Sequence, residues 1–182
     1  KKKKKFILYN KRDRLGYYNA FLKGVSLSKG NVIFFSDTGG KYNYKKFVNF
    51  YEHFKKNNAD MVAGYRINRE DKLLRQILTL FYGFFINILF QINFKDYDCG
   101  FKVFDKKKLL KILKENNFDK NLITSQIFVY FKIYNYKILQ LPIKYNEKKN
   151  RVSRGIPNRK ILNIIFSSVK KMLHIRLKQM SF

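Results

Sequence analysis

Residues 31–41 read NVIFFSDTGGK, and the run Val32–Ser36 inside them decides the fold. Five residues of continuous apolar and β-favouring character, bounded by Gly30 and by Gly39-Gly40, have the length of a strand and not of a helix. Unbroken hydrophobicity, as opposed to alternation, predicts a strand covered on both faces, the pattern of a parallel sheet. Upstream, RLGYYNAFLKGVSLSKG sets Leu15, Tyr18, Phe21, Leu22 and Val25 at helical spacing. Downstream, residues 44–57 restore that period through Phe47, Phe50, Tyr51 and Phe54, and ADMVAGYR predicts a second buried strand. Strand, helix and strand in succession imply a right-handed crossover and a mostly parallel α/β sheet. Ligands of such sheets bind at the carboxyl ends of the strands, and Asp37 and Arg66 each stand just past one.

The remaining chain supplies further elements. FILY at 6–9 has the character of a short strand, FKVF at 101–104 of another, and KILQLPIKY at 137–145 of a third that ends near Pro142. A Lys-rich helix follows Asp105, and residues 122–134 form an apolar helix. Residues 73–94, LLRQILTLFYGFFINILFQINF, approach the roughly 20 residues that span a bilayer. Arg75, Gln76, Thr79, Asn87, Gln91 and Asn93 interrupt them, which favours a helix lying at a membrane interface or packed on the domain over a spanning one. Residues 161–182 form a basic amphipathic helix. The expected organisation is one domain over 1–160 that includes the helix at 73–94, followed by the helix at 161–182.

Composition limits the partners. Forty Lys and Arg against 12 Asp and Glu give a formal charge of +28, which suits an anionic membrane surface, phosphorylated ligands or nucleic acid. A Lys- and Asn-rich codon bias accounts for scattered lysines but not for clustered arginines. The single Cys99 excludes an internal disulfide framework and reads as a small buried filler. The chain opens on KKKKKFILY and not on Met, which is read as a cut inside a longer protein.

Four clusters carry chemistry. Asp37, followed by glycines at a strand end, can hold a divalent cation while a diphosphate approaches the backbone; alternatively it caps the next turn. Arg66, Arg69 and Arg75 fall within ten residues after a strand, and guanidinium groups grip phosphate oxygens in pairs; the plain reading is solvated charge at a helix start. Asp96 and Asp98 precede Gly100-Phe101-Lys102, where Asp98 serves as a base, orients a hydroxyl or simply forms the turn. Arg151 and Arg154 sit on a polar loop that can close over a phosphate.

In their order, these motifs resemble family-2 glycosyltransferases of the GT-A, Rossmann-like fold, in the branch of dolichyl-phosphate-mannose-synthase-like and polyprenyl-phosphate sugar transferases. The resemblance rests on LGYYNAFLKG, FFSDTGGK, VAGYRINREDKLLR, DYDCGFKVF and LPIKYNEKKNRVSRG, and covers about residues 14–160. It implies a nucleotide-sugar donor, a lipid-phosphate acceptor and hexosyl transfer at the cytoplasmic face of a membrane, in cell-envelope glycan synthesis. By the same resemblance Asp37 is the first acid of a DxD-type loop and holds magnesium or manganese with the nucleotide. Arg66, Arg69, Arg75 and Thr79 lie near donor or lipid phosphates, Lys102 binds substrate or phosphate, Asp98 lies near the acceptor, and Arg151 or Arg154 on the flexible loop. Two departures matter. Gly39 stands where the family has its second acid, and the first strands that grip the base have no counterpart after Lys1, so this stretch alone is expected to be inactive. Two rivals remain: a non-catalytic membrane- or polyanion-binding remnant, and a nucleic-acid binder, against which the ordered motifs argue.

Overall fold

A computed structural model describes residues 7–9, 15–37, 40–69, 73–145 and 158–180. The first helix, α1 (Gly16–Leu27), leads into strand β1 (Val32–Ser36), and a 3-10 turn at Tyr44–Lys46 opens α2 (Phe47–Lys56). Strand β2 (Met61–Ile67) precedes the long helix α3 (Leu73–Phe90). Then come β3 (Phe101–Asp105), α4 (Lys106–Glu115), α5 (Ile123–Ile133), β4 (Ile138–Lys144) and α6 (Asn158–Met180).

The four strands form one sheet in the order β1-β3-β2-β4. β1, β2 and β4 run one way and β3 runs against them, lying between β1 and β2. The sheet is therefore mixed. The expected mostly parallel sheet is thus broken by two antiparallel ladders, because β3 is inserted between β1 and β2. β1 lies at the edge of the described sheet, and of its residues only Ile33 is fully buried. Its unbroken apolar run still has a cause, since both faces are used. Phe34 meets Phe47 and Phe101 on one side, while Phe35 meets Phe21 and Tyr17 on the other.

Alternation along β2 and β3 divides the core in two. Met61, Ala63 and Phe104 face a large cluster built with α1, α3, α4, α5 and α6, to which α6 contributes Met172 and Ile175. Val62, Phe101 and Val103 face a smaller one built with Phe50 and Phe54 of α2. Helices therefore flank both faces of the sheet, as the α/β pattern requires.

Three local readings change. Ile7, Leu8 and Tyr9 are exposed and take no regular structure, so no strand forms there. Pro142 lies inside β4 opposite Tyr65, not at its end; an edge strand tolerates it because the outer side needs no N–H donor. α3 stops at Phe90 and not at residue 94. Gln91 turns into the left-handed region at φ 52°, and Asn87 holds the returning chain with hydrogen bonds of 3.0 Å to and from the Phe94 backbone.

Candidate functional site

The antiparallel course of β3 creates the site. Its first residue, Phe101, is level with Ser36 at the end of β1, and Lys102 is level with Phe35 and Ala63. The turn Asp96–Gly100 is thereby delivered to the edge where β1 and β2 end. Asp37 donates its backbone N–H to the Gly100 carbonyl at 2.8 Å, and the Tyr44 hydroxyl donates to the Asp37 carbonyl at 3.1 Å. The Asp37 carboxyl rests directly on the Gly100 Cα, where any Cβ would collide with Cγ and both oxygens. Glycine is required here for close approach. Gly64 does the same one strand away: a Cβ there would lie 2.8 Å from both Cys99 Sγ and Ile143 Cγ2.

Neither Asp37 carboxylate oxygen accepts a hydrogen bond from a described residue. Burial raises its pKa, against the opposing charges of Lys102, Lys41 and Arg66. Asp96 behaves in the opposite way. It is buried, and Arg66 clasps it with Nε to Oδ2 at 2.7 Å and an Nη to Oδ1 at 2.9 Å; the Arg66 backbone N–H adds a third bond at 3.1 Å. Burial alone would raise the Asp96 carboxyl, but these bonds and the guanidinium charge outweigh it and hold the group below the usual carboxylate range. The backbone N–H of Asp98 also donates to Asp96 Oδ1 at 3.0 Å, and Gln140 anchors the Asp96 carbonyl from β4 at 2.8 Å.

Asp98 itself is exposed and accepts from the Thr124 hydroxyl of α5 at 2.9 Å. Lys102 is 1% exposed. Its Nζ donates to the Cys99 carbonyl and lies 5.5 Å from the centre of the Phe128 ring. Burial pulls this ammonium downward, while charge at Cys99, Asp96, Asp98 and Asp37 supports its protonated form. Cys99 is fully buried and its thiol is pushed up to about 11, chiefly by burial, which fits an inert filler. Tyr42, also buried, accepts the Gly100 N–H at 3.2 Å and steadies the turn from beneath.

The fold thus gathers Asp37, Arg66, Asp98 and Lys102 at one edge. Two of the three Arg66 nitrogens hold Asp96, so Arg66 acts as a fixed positive charge and not as a swinging phosphate clamp. Arg69 follows β2 directly, its carbonyl accepting from Gln76 Nε2 at 3.3 Å. Thr79 is half-buried on α3, and Arg75 lies in the first turn of that helix. Gly39, Arg151 and Arg154 lie outside the described residues. Asp96, Thr124 and Tyr42 were not singled out from sequence as site residues. Asp96 alone carried a signal, the paired acids before Gly100.

Among known proteins, residues 1–113 match the family model described as Glycosyl transferase family 2. The fold is similar to that of glucosyl-3-phosphoglycerate synthase from Mycobacterium tuberculosis, solved with Mn2+, uridine-diphosphate-glucose and glycerol 3-phosphate. The TM-score is 0.56 and the identity 15%, over 90% of this chain and 55% of that one. The chain therefore spans about half the length of that structure, and the likeness is one of fold.

Proposed function

The chain belongs to glycosyl transferase family 2, and from that membership we propose that the full-length protein transfers a hexose from a nucleotide-sugar donor to a lipid phosphate at an anionic membrane surface. One observation carries the donor site: the Asp37 carboxylate stands at the sheet edge with no hydrogen bond from a described residue, seated on Gly100 among Lys41, Arg66 and Lys102. A half-buried acid with free oxygens suits a cation, and the surrounding positive charge suits a diphosphate.

The donor set fits magnesium or manganese of a particular kind. Asp96 is committed to Arg66, which leaves Asp37 and Asp98, and among the described residues no three metal-ligating side chains cluster. Such ions take one or two carboxylates and complete their shell with substrate phosphates and water. Asp37 would hold the ion, with Gly39 contributing no second acid. When bound, the ion supplies charge neutralisation on the diphosphate.

The chain's own groups cover the rest. An acceptor oxygen attacks the anomeric carbon as the bond from that carbon to the diphosphate oxygen breaks, and fixed cations on the edge stabilise the charge released. A lipid phosphate is already ionised and needs little base catalysis. This accords with a site without histidine, since His53 is on α2 and His174 on α6.

Membrane contact is supported by α3, whose Leu73, Ile77, Leu80, Phe84 and Ile88 form an exposed apolar row. α6, packed on α3, exposes Phe166, Leu173, Leu177 and Met180. Among the described residues no helix is long and apolar enough to cross a membrane. With a net charge of +28, helices lying in an anionic interface on the cytoplasmic side are the consistent reading.

The test offers UDP-glucose and GDP-mannose to full-length protein, with polyprenyl phosphate or glycerol 3-phosphate as acceptor. Transfer to polyprenyl phosphate that falls about 100-fold or more in Asp37→Asn is the expected result. Transfer to glycerol 3-phosphate alone would remove the lipid acceptor. Vesicle binding without any transfer would favour the non-catalytic remnant.

A further inference from the structure

Tyr17 has no role in the site described so far, yet its placement is specific. Gly16 enters α1 with φ +72°, a left-handed turn that only glycine adopts cheaply, and no other group lies where its Cβ would be. That turn sets Tyr17 in the first turn of α1. The helix runs back along β1, so its start lies over the end of the strand. Its own end is tied to the opposite edge, where Lys106 donates its backbone N–H to the Asn31 carbonyl and its Nζ to the Ser28 carbonyl. Tyr18 turns toward the core. Tyr17 instead stands edge-on to Phe35, with centroids 5.9 Å apart at 88°, two residues before Asp37. Tyr17 is 45% exposed, and its hydroxyl makes no hydrogen bond with a described residue. Phe35 leads through Ser36 into Asp37, so the Tyr17 ring stands near the strand end that delivers Asp37; burial, then the charges of Asp37 and Asp98, push its phenol pKa up.

We propose that Tyr17 is a binding residue for the donor's sugar, offering its ring to the pyranose beside the diphosphate at Asp37. The assignment rests on the sugar-transfer reading above. A partly exposed aromatic ring packed edge-on against a second ring, with an acid two residues further along that strand's path, is the chemistry that meets a hexose. The ring covers the C–H face, and carboxylates accept from the hydroxyls.

The experiment is titration calorimetry on full-length protein with Mn2+, using UDP-glucose and GDP-mannose as probes beside UDP and GDP. Tyr17→Ala should weaken the matching sugar nucleotide by up to about tenfold while leaving its nucleoside diphosphate unchanged. Tyr17→Phe should restore the affinity, since the ring and not the hydroxyl makes the contact. Equal losses for sugar nucleotide and nucleoside diphosphate, or no loss at all, would overturn the assignment while sparing the donor site. Wild-type protein that binds none of the four probes would overturn both.

Discussion

Asp37 and Asp96 lie at one sheet edge, and their neighbours drive them apart. Asp96 is locked by Arg66; Asp37 is left open above Gly100. Replacing Gly100 by Ala should push the Asp37 carboxyl aside and reduce sugar transfer about 100-fold, because a shift near 1 Å is enough to misalign a reacting group. The melting temperature should fall only modestly, and full activity in Gly100→Ala would show that Asp37 need not sit there. The Asp96 pair makes a pH prediction. Its folded-state pKa lies below the ordinary value near 4. Between the two values the unfolded chain carries more protons, so this contribution is complete above about pH 4 and is lost as pH falls through the folded value. Asp96→Asn should flatten that part of the acid-unfolding curve. It should also cost roughly 3–5 kcal/mol at neutral pH, since Arg66 is left buried without its counter-charge. Chemical denaturation from pH 2 to 7 measures both.

At the scale of elements, β3 and α3 matter most. β3 reverses direction, and by doing so carries the Asp96–Gly100 turn to the carboxyl ends of its neighbours. α3 buries one face through Ile86 and Phe90 and exposes the other. Its polar interruptions have different uses: Asn87 closes the helix end, whereas Gln76 reaches back to Arg69. Leu80 and Phe84 are 65% and 64% exposed, so changing both to Glu removes little core. The double variant should keep its melting temperature and lose most of its binding to phosphatidylglycerol vesicles in a sedimentation assay. Unchanged binding would take α3 out of the membrane contact.

For the whole molecule, a charge of +28 acts at long range and the apolar rows act only on contact. Binding to anionic vesicles should therefore weaken as salt rises from about 0.1 to 1 M, where the screening length shrinks from roughly 10 to 3 Å, but should not vanish. Affinity for a DNA duplex, if any, should collapse over the same range, because it depends on released counterions. Persistent DNA binding at high salt would reopen the nucleic-acid reading.

Periodicity and run length alone placed β1 to the residue and located α1, α2 and β2 with displaced ends, because each buries a face that one element's own sequence must encode. Asp37 at a strand end, Arg69 after β2 and the glycine turn after Asp98 were legible for the same reason: their meaning lies in short local spacing. Arg66, expected just past the strand, lies inside it, paired with Ile143 of β4. Only the tertiary structure decided that β3 enters between β1 and β2, since strand order depends on contacts some 40 to 70 residues apart that no local period records. It likewise decided that Arg66 belongs to Asp96, 30 positions away, and that Lys102 is sealed beneath the turn. Tyr17 and Tyr18 are adjacent and identical in sequence. The left-handed turn at Gly16 and the position of Phe35 send one to the site and the other to the core.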